Sequence, residues 1–390
     1  MQKLKKAYKV EINLTKEQAT KIRKTIGVCR YAYNFYIAHN QEVYKNEKKF
    51  ISGMDFSKWL NNEFIPNNAD KSSMKEVSSK AVKQSIMDAE LAFKNFFKGK
   101  SSFPNFKKKN KQRVKAYFPK NNKTDWAINR HRIKIPTLGW VRLKEFGYIP
   151  INSKVTSGTV SQKADRYYVS VLVEEDIQIN EAPSSKGIGI DLGLKEFAVI
   201  SDVTVKKNIN KTVKVKTLEK KLKREQRKLS RKYEALKIRN KKLKGGATRK
   251  NIQKQIVKVQ KLHQKLTNIR TDYIYKIVSD IVKQKPSFVT IEDLNVSGMI
   301  KNRHLSKAIS KQKFYEFKAK LVTKGNLNNI EIRVVDRFFP SSKTCSCCGS
   351  YKKDLKLSDR VYKCNNCNAI IDRDLNASIN LENAVKYKIA

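Results

Sequence analysis

The pairs Cys345 with Cys348 and Cys364 with Cys367 spell CxxC, fifteen intervening residues, CxxC. A gap of two residues lets both sulfurs of a pair reach one ion, and two such pairs supply the four thiolates of a tetrahedral structural zinc site of the ribbon type. Redox thiols also occur as CxxC, but the doubled spacing matches the zinc pattern far more closely. Cys347 is a spare crowded against Cys348, and Cys29 stands alone near the other end of the chain.

The same stretch runs on into acids. Cys364 to Ser378 reads CNNCNAIIDRDLNAS, with Asp372 and Asp374 following the apolar step Ala369 to Ile371. Two more carboxylates close apolar runs: Asp191 follows Ile188 to Ile190 and precedes Gly193, and Glu292 follows FVTI with Asp293 as an equally good choice beside it. Singly, such acids have structural uses, since an Asp closes a turn or, like Asp374 ahead of LNAS, caps a helix N-terminus. Together, carboxylates on three apolar elements are the oxygen set that two Mg²⁺ ions need when they sit roughly 4 Å apart astride a phosphodiester.

Such a site needs a chain that attracts polyanions. The 390 residues carry 85 Lys and Arg against 35 Asp and Glu, a formal charge of +50 at pH 7. That imbalance makes nucleic acid the natural partner. A membrane surface would attract the same charge, but no run of eighteen apolar residues exists and MQKLKKAYKV lacks the apolar core of a secretory signal. The expectation is a soluble, cytoplasmic, nucleoid-associated protein without disulfides. With 39% hydrophobic residues and only 14 Gly and 8 Pro, the chain can build real cores, and its length predicts roughly two or three domains.

Patterning divides the chain. From Leu14 to about Lys100 the spacing is helical: LTKEQATKIRK sets Thr15 three residues before Gln18, a capping-box arrangement, and VSSKAVKQSIMDAELAFKNFF predicts a second helix. From about Ser101 to Glu175, segments such as HRIKIP, WVRL and DRYYVSVLVEE predict strands, with AYKVEINL as a further strand of the same module. EAPSSKG reads as a linker into the strand pair GIGIDLGLKEFAVISD.

Two basic helices follow, VKTLEKKLKREQRKLSRKYEALKIRNKKLK and one with Ile252, Ile256, Val259, Leu262, Leu266, Ile269, Tyr273, Ile277 and Ile281 at three- and four-residue steps. A break at KGGAT folds them into an antiparallel hairpin. Helix lysines usually make only a solvated face; an excess this one-sided predicts a surface that faces phosphates. SFVTIEDL and IEIRVVD then read as strands flanking one helix around LSKAISKQKFYEFKAKLV, and NASINLENAVKY as a closing helix. Strands alternating with helices predict an α/β C-terminal domain.

Taken together, GIGIDLGLKEFAVISD, FVTIEDLNVSGM, VDRFFPSSKTCSCCG and CNNCNAIIDRDLNASINL resemble the TnpB family of transposon-encoded nucleases, also called OrfB proteins of insertion sequences and relatives of the type V CRISPR effectors. RYAYNFY and LSKAISKQKFYEF look like family segments too, so the resemblance spans essentially the whole chain. It implies an α/β, RuvC-like RNase H fold over residues 185–344 and 368–390, whose motifs contribute Asp191, Glu292 and Asp374 as catalytic Mg²⁺ ligands. The zinc ribbon of residues 345–367, with Cys345, Cys348, Cys364 and Cys367, is then an insertion ahead of the third motif. A helical recognition domain at 15–100 would interrupt a wedge-like β-barrel made from 1–14 and 101–180. In DRDLN the family's acid is the one two residues before Asn376, hence Asp374 in place of Asp372. Asn368 stands where many relatives have Gly after the final cysteine, and Asn also tolerates a left-handed turn.

The activity implied is Mg²⁺-dependent endonucleolytic cleavage of double-stranded DNA, guided by an RNA from the transposon, with pairing supplying specificity and the protein reading a short flanking motif. For that reading, Lys80 and Gln84, four apart in SSKAVKQS, share a helix face able to reach base edges. Other classes give other readings: a guide-bound repressor with a dead nuclease, which the presence of all three acids disfavours; a compact type V CRISPR effector; and a transposase that joins DNA ends without RNA.

Overall fold

β1 (Gln2–Asn13) and α1 (Lys16–Glu47) open the chain in the computed structural model, which describes residues 2–108, 114–119, 126–177, 186–242, 249–356 and 358–390. The chain divides into two units, residues 1–177 and 178–390. The capping box at Thr15 forms: its hydroxyl accepts from the Gln18 N–H at 3.1 Å, and the Gln18 side chain accepts from the Thr15 N–H at 3.1 Å. α1 then buries Ile22, Ile26, Cys29, Ala32, Tyr33, Tyr36 and Ile37, a stripe at three- and four-residue steps.

α2 (Gly53–Trp59), the single turn α3 (Ile65–Asn67) and α4 (Ser79–Phe97, capped by the Ser78 side chain) complete the helical part of the first unit. Its strands are β2 (Val114–Pro119), β3 (Ala127–Ile128), β4 (Arg132–Ile135), β5 (Gly139–Leu143), β6 (Lys154–Lys163) and β7 (Arg166–Ile177). With β1 they make a seven-stranded antiparallel sheet in the order β2-β6-β7-β1-β5-β4-β3, so AYKVEINL joins the later strands as its alternation predicts. β2 and β3 stand at the two ends of that order. One continuous core joins sheet and helices, from Val10, Val169 and Phe118 to Tyr36, Phe56 and Ile86.

The second unit begins with β8 (Ile188–Leu192), β9 (Glu196–Ile200) and β10 (Val205–Lys207), followed by the helices α5 (Val213–Lys242) and α6 (Lys250–Lys283). β11 (Phe288–Glu292), α7 (Val296–Lys301), α8 (Ser306–Gln312), α9 (Phe314–Asn326) and β12 (Glu331–Val335) come next. The cysteine segment holds β13 (Val361–Lys363) and β14 (Ile370–Asp372), and the chain closes with α10 (Arg373–Glu382) and β15 (Lys388–Ile389). The break expected at 244–248, and residues 181–185 of the expected linker, lie outside the described residues.

The unit's main sheet runs β10-β9-β8-β11-β12-β15, with β8, β11 and β12 parallel to one another and the outer pairings antiparallel. Side chains alternate across a strand. Ile188 and Ile190 of β8, with Val289 and Ile291 of β11 and Ile332 of β12, pack into a core with Ile274, Ile277 and Ile281 of α6 and Phe317 and Leu321 of α9. Each such buried aliphatic or aromatic side chain contributes about 1.5–3 kcal/mol of transfer free energy. The other face, bearing Gly189, receives α10. Both faces of these strands are therefore covered, as a parallel sheet requires.

Two boundaries differ from the sequence expectation. The single helix around LSKAISKQKFYEFKAKLV is two, because Lys313 takes a left-handed φ of +58° between α8 and α9. The Lys313 ammonium bonds Thr271 at 2.7 Å and also pairs with Glu316, which holds that corner against α6. The closing helix starts earlier than NASINL suggests and ends at Glu382, so that Lys388 and Ile389 form an edge strand.

Candidate active site and cysteine cluster

Register decides which acids meet. Val289 pairs with Ile188 and Ile291 with Ile190, so Asp191 and Glu292 lie one step further along at the C-terminal ends of adjacent parallel strands. Adjacent strands run about 4.8 Å apart, and equal register puts both carboxylates on one face. That face is the one α10 covers. A Cβ on Gly189 would come within 2.0 Å of the Ser378 carbonyl oxygen and 2.4 Å of the Glu382 nitrogen, so only glycine admits the helix this closely. The contact brings Asp374, in the first turn of α10, alongside Asp191.

The electrostatics follow from that crowding. Burial, then the charges of Glu292 and Asp374, push the Asp191 carboxyl up to about 8, with Arg373 acting in the opposite direction. Burial also raises Glu292, against a hydrogen bond from the Ser341 hydroxyl at 2.6 Å. Its neighbour Asp293 is held below the usual carboxylate range by a hydrogen bond from Lys318 at 3.2 Å, with Arg337 adding a contact at 3.5 Å. The two residues left equivalent by local sequence thus separate: Asp293 is committed to ion pairs, and Glu292 joins Asp191.

Asp372 and Asp374 separate as well. Asp372 is the N-cap of α10, accepting from the N–H groups of Asp374 at 3.0 Å and Leu375 at 3.1 Å. The capping task that sequence alone allowed for Asp374 belongs to Asp372, while the charges of both residues raise Asp191, that of Asp374 more strongly.

The four cysteines come together more tightly. Sγ atoms of Cys345, Cys348, Cys364 and Cys367 all lie within 4.8 Å of one another, with Cys345 to Cys367 and Cys348 to Cys364 at 3.6 Å. Exposed Cys347 stands outside the set. Each CxxC turns on a bonded corner: Gly349 N–H donates to the Cys345 carbonyl at 2.9 Å with φ +73°, and Cys364 N–H donates to the Ala369 carbonyl at 2.9 Å across Asn368 at φ +54°. Asn368 does what glycine would. Hydrogen bonds from Ser350 and Asn366 draw the Cys348 thiol down to about 5 and Ser350 lowers Cys364 as well, whereas the neighbouring sulfurs push Cys367 up to about 12. Beneath lies a small core of Tyr362, Leu355, Ala369 and Ile371.

Two buried asparagines of α10 lock this segment to the helix. Ser346 N–H donates to Asn376 at 2.9 Å, Asn376 donates to the Thr344 carbonyl at 2.8 Å, and Asn380 donates to the carbonyls of Ser341 at 2.8 Å and Thr344 at 2.7 Å. Ser341, which orients Glu292, is therefore held by the helix that carries Asp374. Nothing in local patterning marks Asn380 or Ser341 for this work; Asn376 was visible only through the DRDLN motif.

Lys80 and Gln84 do share the first turns of α4, both half-buried, and Gln84 donates to Asp88 at 3.0 Å. In the second unit, α5 and α6 run antiparallel: Glu225 meets Gln255 at 2.7 Å, Gln226 meets His263 at 3.3 Å and Glu219 meets Arg270 at 2.6 Å. The acids of α5 are Glu219, Glu225 and Glu234, each paired with a Lys or Arg. Most of its cations, among them Lys220, Lys223, Arg224, Arg227 and Arg231, face solvent. Among the described residues, no helix is long and apolar enough to cross a membrane.

A mixed α/β sheet with acids gathered at its strand ends and a four-cysteine segment leading into the last of them defines a class, and comparison with known proteins gives it a name. The OrfB model of IS605 elements, described as "Probable transposase", matches residues 168–303; a Cas12f1-like TNB domain matches 314–381; and an OrfB helix-turn-helix domain matches 1–49, where this structure has β1 and the single helix α1. InsQ of Escherichia coli strain K12, described as a candidate RNA-guided DNA endonuclease, is 30% identical over 96% of this chain and 91% of its own. A protein of Streptomyces pristinaespiralis with the same description is 31% identical over 98% of this chain and 89% of its own. Among solved structures, Cas12f1 in complex with its guide RNA and target DNA superimposes with a TM-score of 0.59 over 99% of this chain and 100% of that one, at 14% identity. The fold is Cas12-like. The chain belongs to the TnpB (OrfB) family.

Proposed function

We propose that this protein is an RNA-guided DNA endonuclease of an insertion sequence, cleaving double-stranded DNA at a RuvC-like site built from Asp191, Glu292 and Asp374. The observation that carries the reading is the convergence of these acids from β8, β11 and α10 at one sheet face, where burial and then the charges of Glu292 and Asp374 push Asp191 up to about 8. Like charges held together at that cost need a cation, and all-oxygen donors select Mg²⁺ over softer metals. Bound there, a pair of such ions supplies a Lewis acid and an activated water for phosphodiester hydrolysis. The chain's own part is to hold the oxygens. Ser341 fixes Glu292, Asp372 caps α10, and Asn380 of α10 holds Ser341.

In this reading residues 185–344 and 368–390 are the nuclease domain and 345–367 a zinc ribbon whose thiolate set fits Zn²⁺ in number and spacing. Residues 15–100 form a recognition domain, and 1–14 with 101–180 a wedge-like barrel. The outward cations of α5 hold nucleic-acid backbone, in keeping with a partner pairing of guide RNA and target DNA in the cytoplasm. Lys80 and Gln84 read the flanking motif from α4. The relatives' descriptions as candidate RNA-guided DNA endonucleases support this over an RNA-independent transposase.

The test is to purify the protein expressed from its own locus and sequence the RNA that accompanies it, then replace the RNA's terminal segment and offer matched DNA. A discrete RNA whose exchanged segment redirects Mg²⁺-dependent cleavage is the expected result. Cleavage or strand joining that is indifferent to RNA would overturn the proposal in favour of the transposase.

A further inference from the structure

The turn that follows Asp191 is held in an unusual way. Three consecutive carbonyls between β8 and β9 each accept a side-chain hydrogen bond from outside the hairpin: Gly193 from Gln312 at 3.2 Å, Leu194 from Asn208 at 2.8 Å and Lys195 from Lys211 at 2.7 Å. A short β-hairpin turn ordinarily closes with its own backbone, and carbonyls beside the exposed Lys195 have water within reach. Satisfying orphan acceptors therefore does not account for the clamp; fixing the turn does.

The clamp is rooted in the basic hairpin. Gln312, only 3% exposed, accepts at Oε1 from Asn210 at 3.3 Å; Asn210 in turn accepts from Arg270 Nε at 2.7 Å. Arg270 of α6 and Lys311 of α8 close on the two carboxylate oxygens of Glu219 of α5, each at 2.6 Å. An unbroken chain of hydrogen bonds thus leads from the first turns of α5, through α6 and the end of α8, to a carbonyl two residues beyond Asp191. A buried glutamine with both ends used has no slack, so a shift at the hairpin base is passed to the turn.

We propose that Gln312 is a positioning residue for Asp191, and that through Asn210, Arg270 and Glu219 it makes the seating of the phosphate-facing hairpin a condition of acid alignment. This rests on the reading of Asp191 as a metal ligand. The geometry itself does not.

Gln312→Glu keeps shape and the Asn210 bond but sets an acceptor against the Gly193 carbonyl. Hydrogen–deuterium exchange on the full chain should then speed up in peptides spanning residues 188–200 and stay unchanged in those spanning 343–364. With guide RNA and DNA bound as tightly as before, kcat should fall by about 10- to 100-fold and the Mg²⁺ concentration for half-maximal rate should rise, the usual size of effect when a ligand's support is removed. Glu219→Gln, at the far end, should give the same pattern in weaker form. Wild-type exchange at 188–200 in Gln312→Glu would overturn the proposal. So would a uniform rise in exchange across the whole unit in both variants, because the network would then be plain scaffolding. If Asp191→Ala cleaves normally while Gln312→Glu still loosens 188–200, the acid assignment falls and the clamp stands.

Discussion

The cysteine cluster and the carboxylate cluster lie in one unit, joined by α10, yet they are assembled in opposite ways. The cysteines occupy one short segment, and their sulfurs gather within 4.8 Å on turns of that segment, which α10 then anchors. The acids arrive from residues 191, 292 and 374, and are neighbours only because a parallel strand register and a glycine contact make them so. A site built by local spacing should fail by losing its metal and its fold together. One built by topology should lose function while the fold survives.

Asp374→Asn sharpens that contrast most. Removing a ligand should exceed the loss of about 10- to 100-fold seen when a ligand's support is removed, so cleavage by the RNA-loaded protein falls below detection while its melting temperature holds. Asp372→Asn, two residues away, should keep most of its activity, because Asn caps a helix about as well as Asp. The reverse ranking in one cleavage assay would move the role to Asp372 and undo the helix-cap assignment.

Cys364→Ser probes the other side. Zinc content should drop and the melting temperature fall by about 5–10 °C, since metal affinity here is folding energy. Cys347→Ser should change neither. Equal zinc content in the Cys364 and Cys347 variants would mean that the spacing had been misread.

Gly189→Ala strikes the junction where α10 meets the sheet. With a Cβ 2.0 Å from the Ser378 carbonyl, the helix must shift, at a cost of about 1–3 kcal/mol in denaturant unfolding, with cleavage impaired beyond what stability explains. A fully active, fully stable Ala variant would show that the helix need not lie so close.

A further effect is electrostatic. Because Asp191 is raised to about 8 when folded and titrates near 3.9 in an unfolded chain, the native state holds the extra proton between these values, and stability without divalent ions should fall as pH climbs through that window. Asp191→Asn should flatten the slope, and Mg²⁺ affinity of the wild type should rise toward pH 8 as the competing proton leaves. A wild-type and an Asn variant with parallel pH–stability curves would contradict the cause given for the shift.

What sequence could show follows the same division. The CxxC spacing, the Thr15 capping box and the apolar runs that end at Asp191 and Glu292 each lie within a few residues, and each carries its own structural meaning. Glu292 over Asp293 and Asp374 over Asp372 needed the family resemblance, because their partners Ser341, Lys318 and Asp191 are remote in the chain. The break at Lys313 left no trace, as lysine has no intrinsic preference for φ near +58° and a tertiary pairing with Glu316 and Thr271 holds it there. Nor did the clamp on residues 193–195, whose donors come from Asn208, Lys211 and Gln312.

We propose that Asp191 and Glu292 on the sheet, with Asp374 on α10, cut DNA that an RNA has selected. This is tested most directly by loading wild type and Asp191→Ala with the same guide RNA and measuring, in one titration, binding and cleavage of matched duplex with Mg²⁺. Both proteins should show equal guide-dependent binding, and the wild type alone should cleave. Cleavage by the Ala variant at the wild-type rate would contradict it.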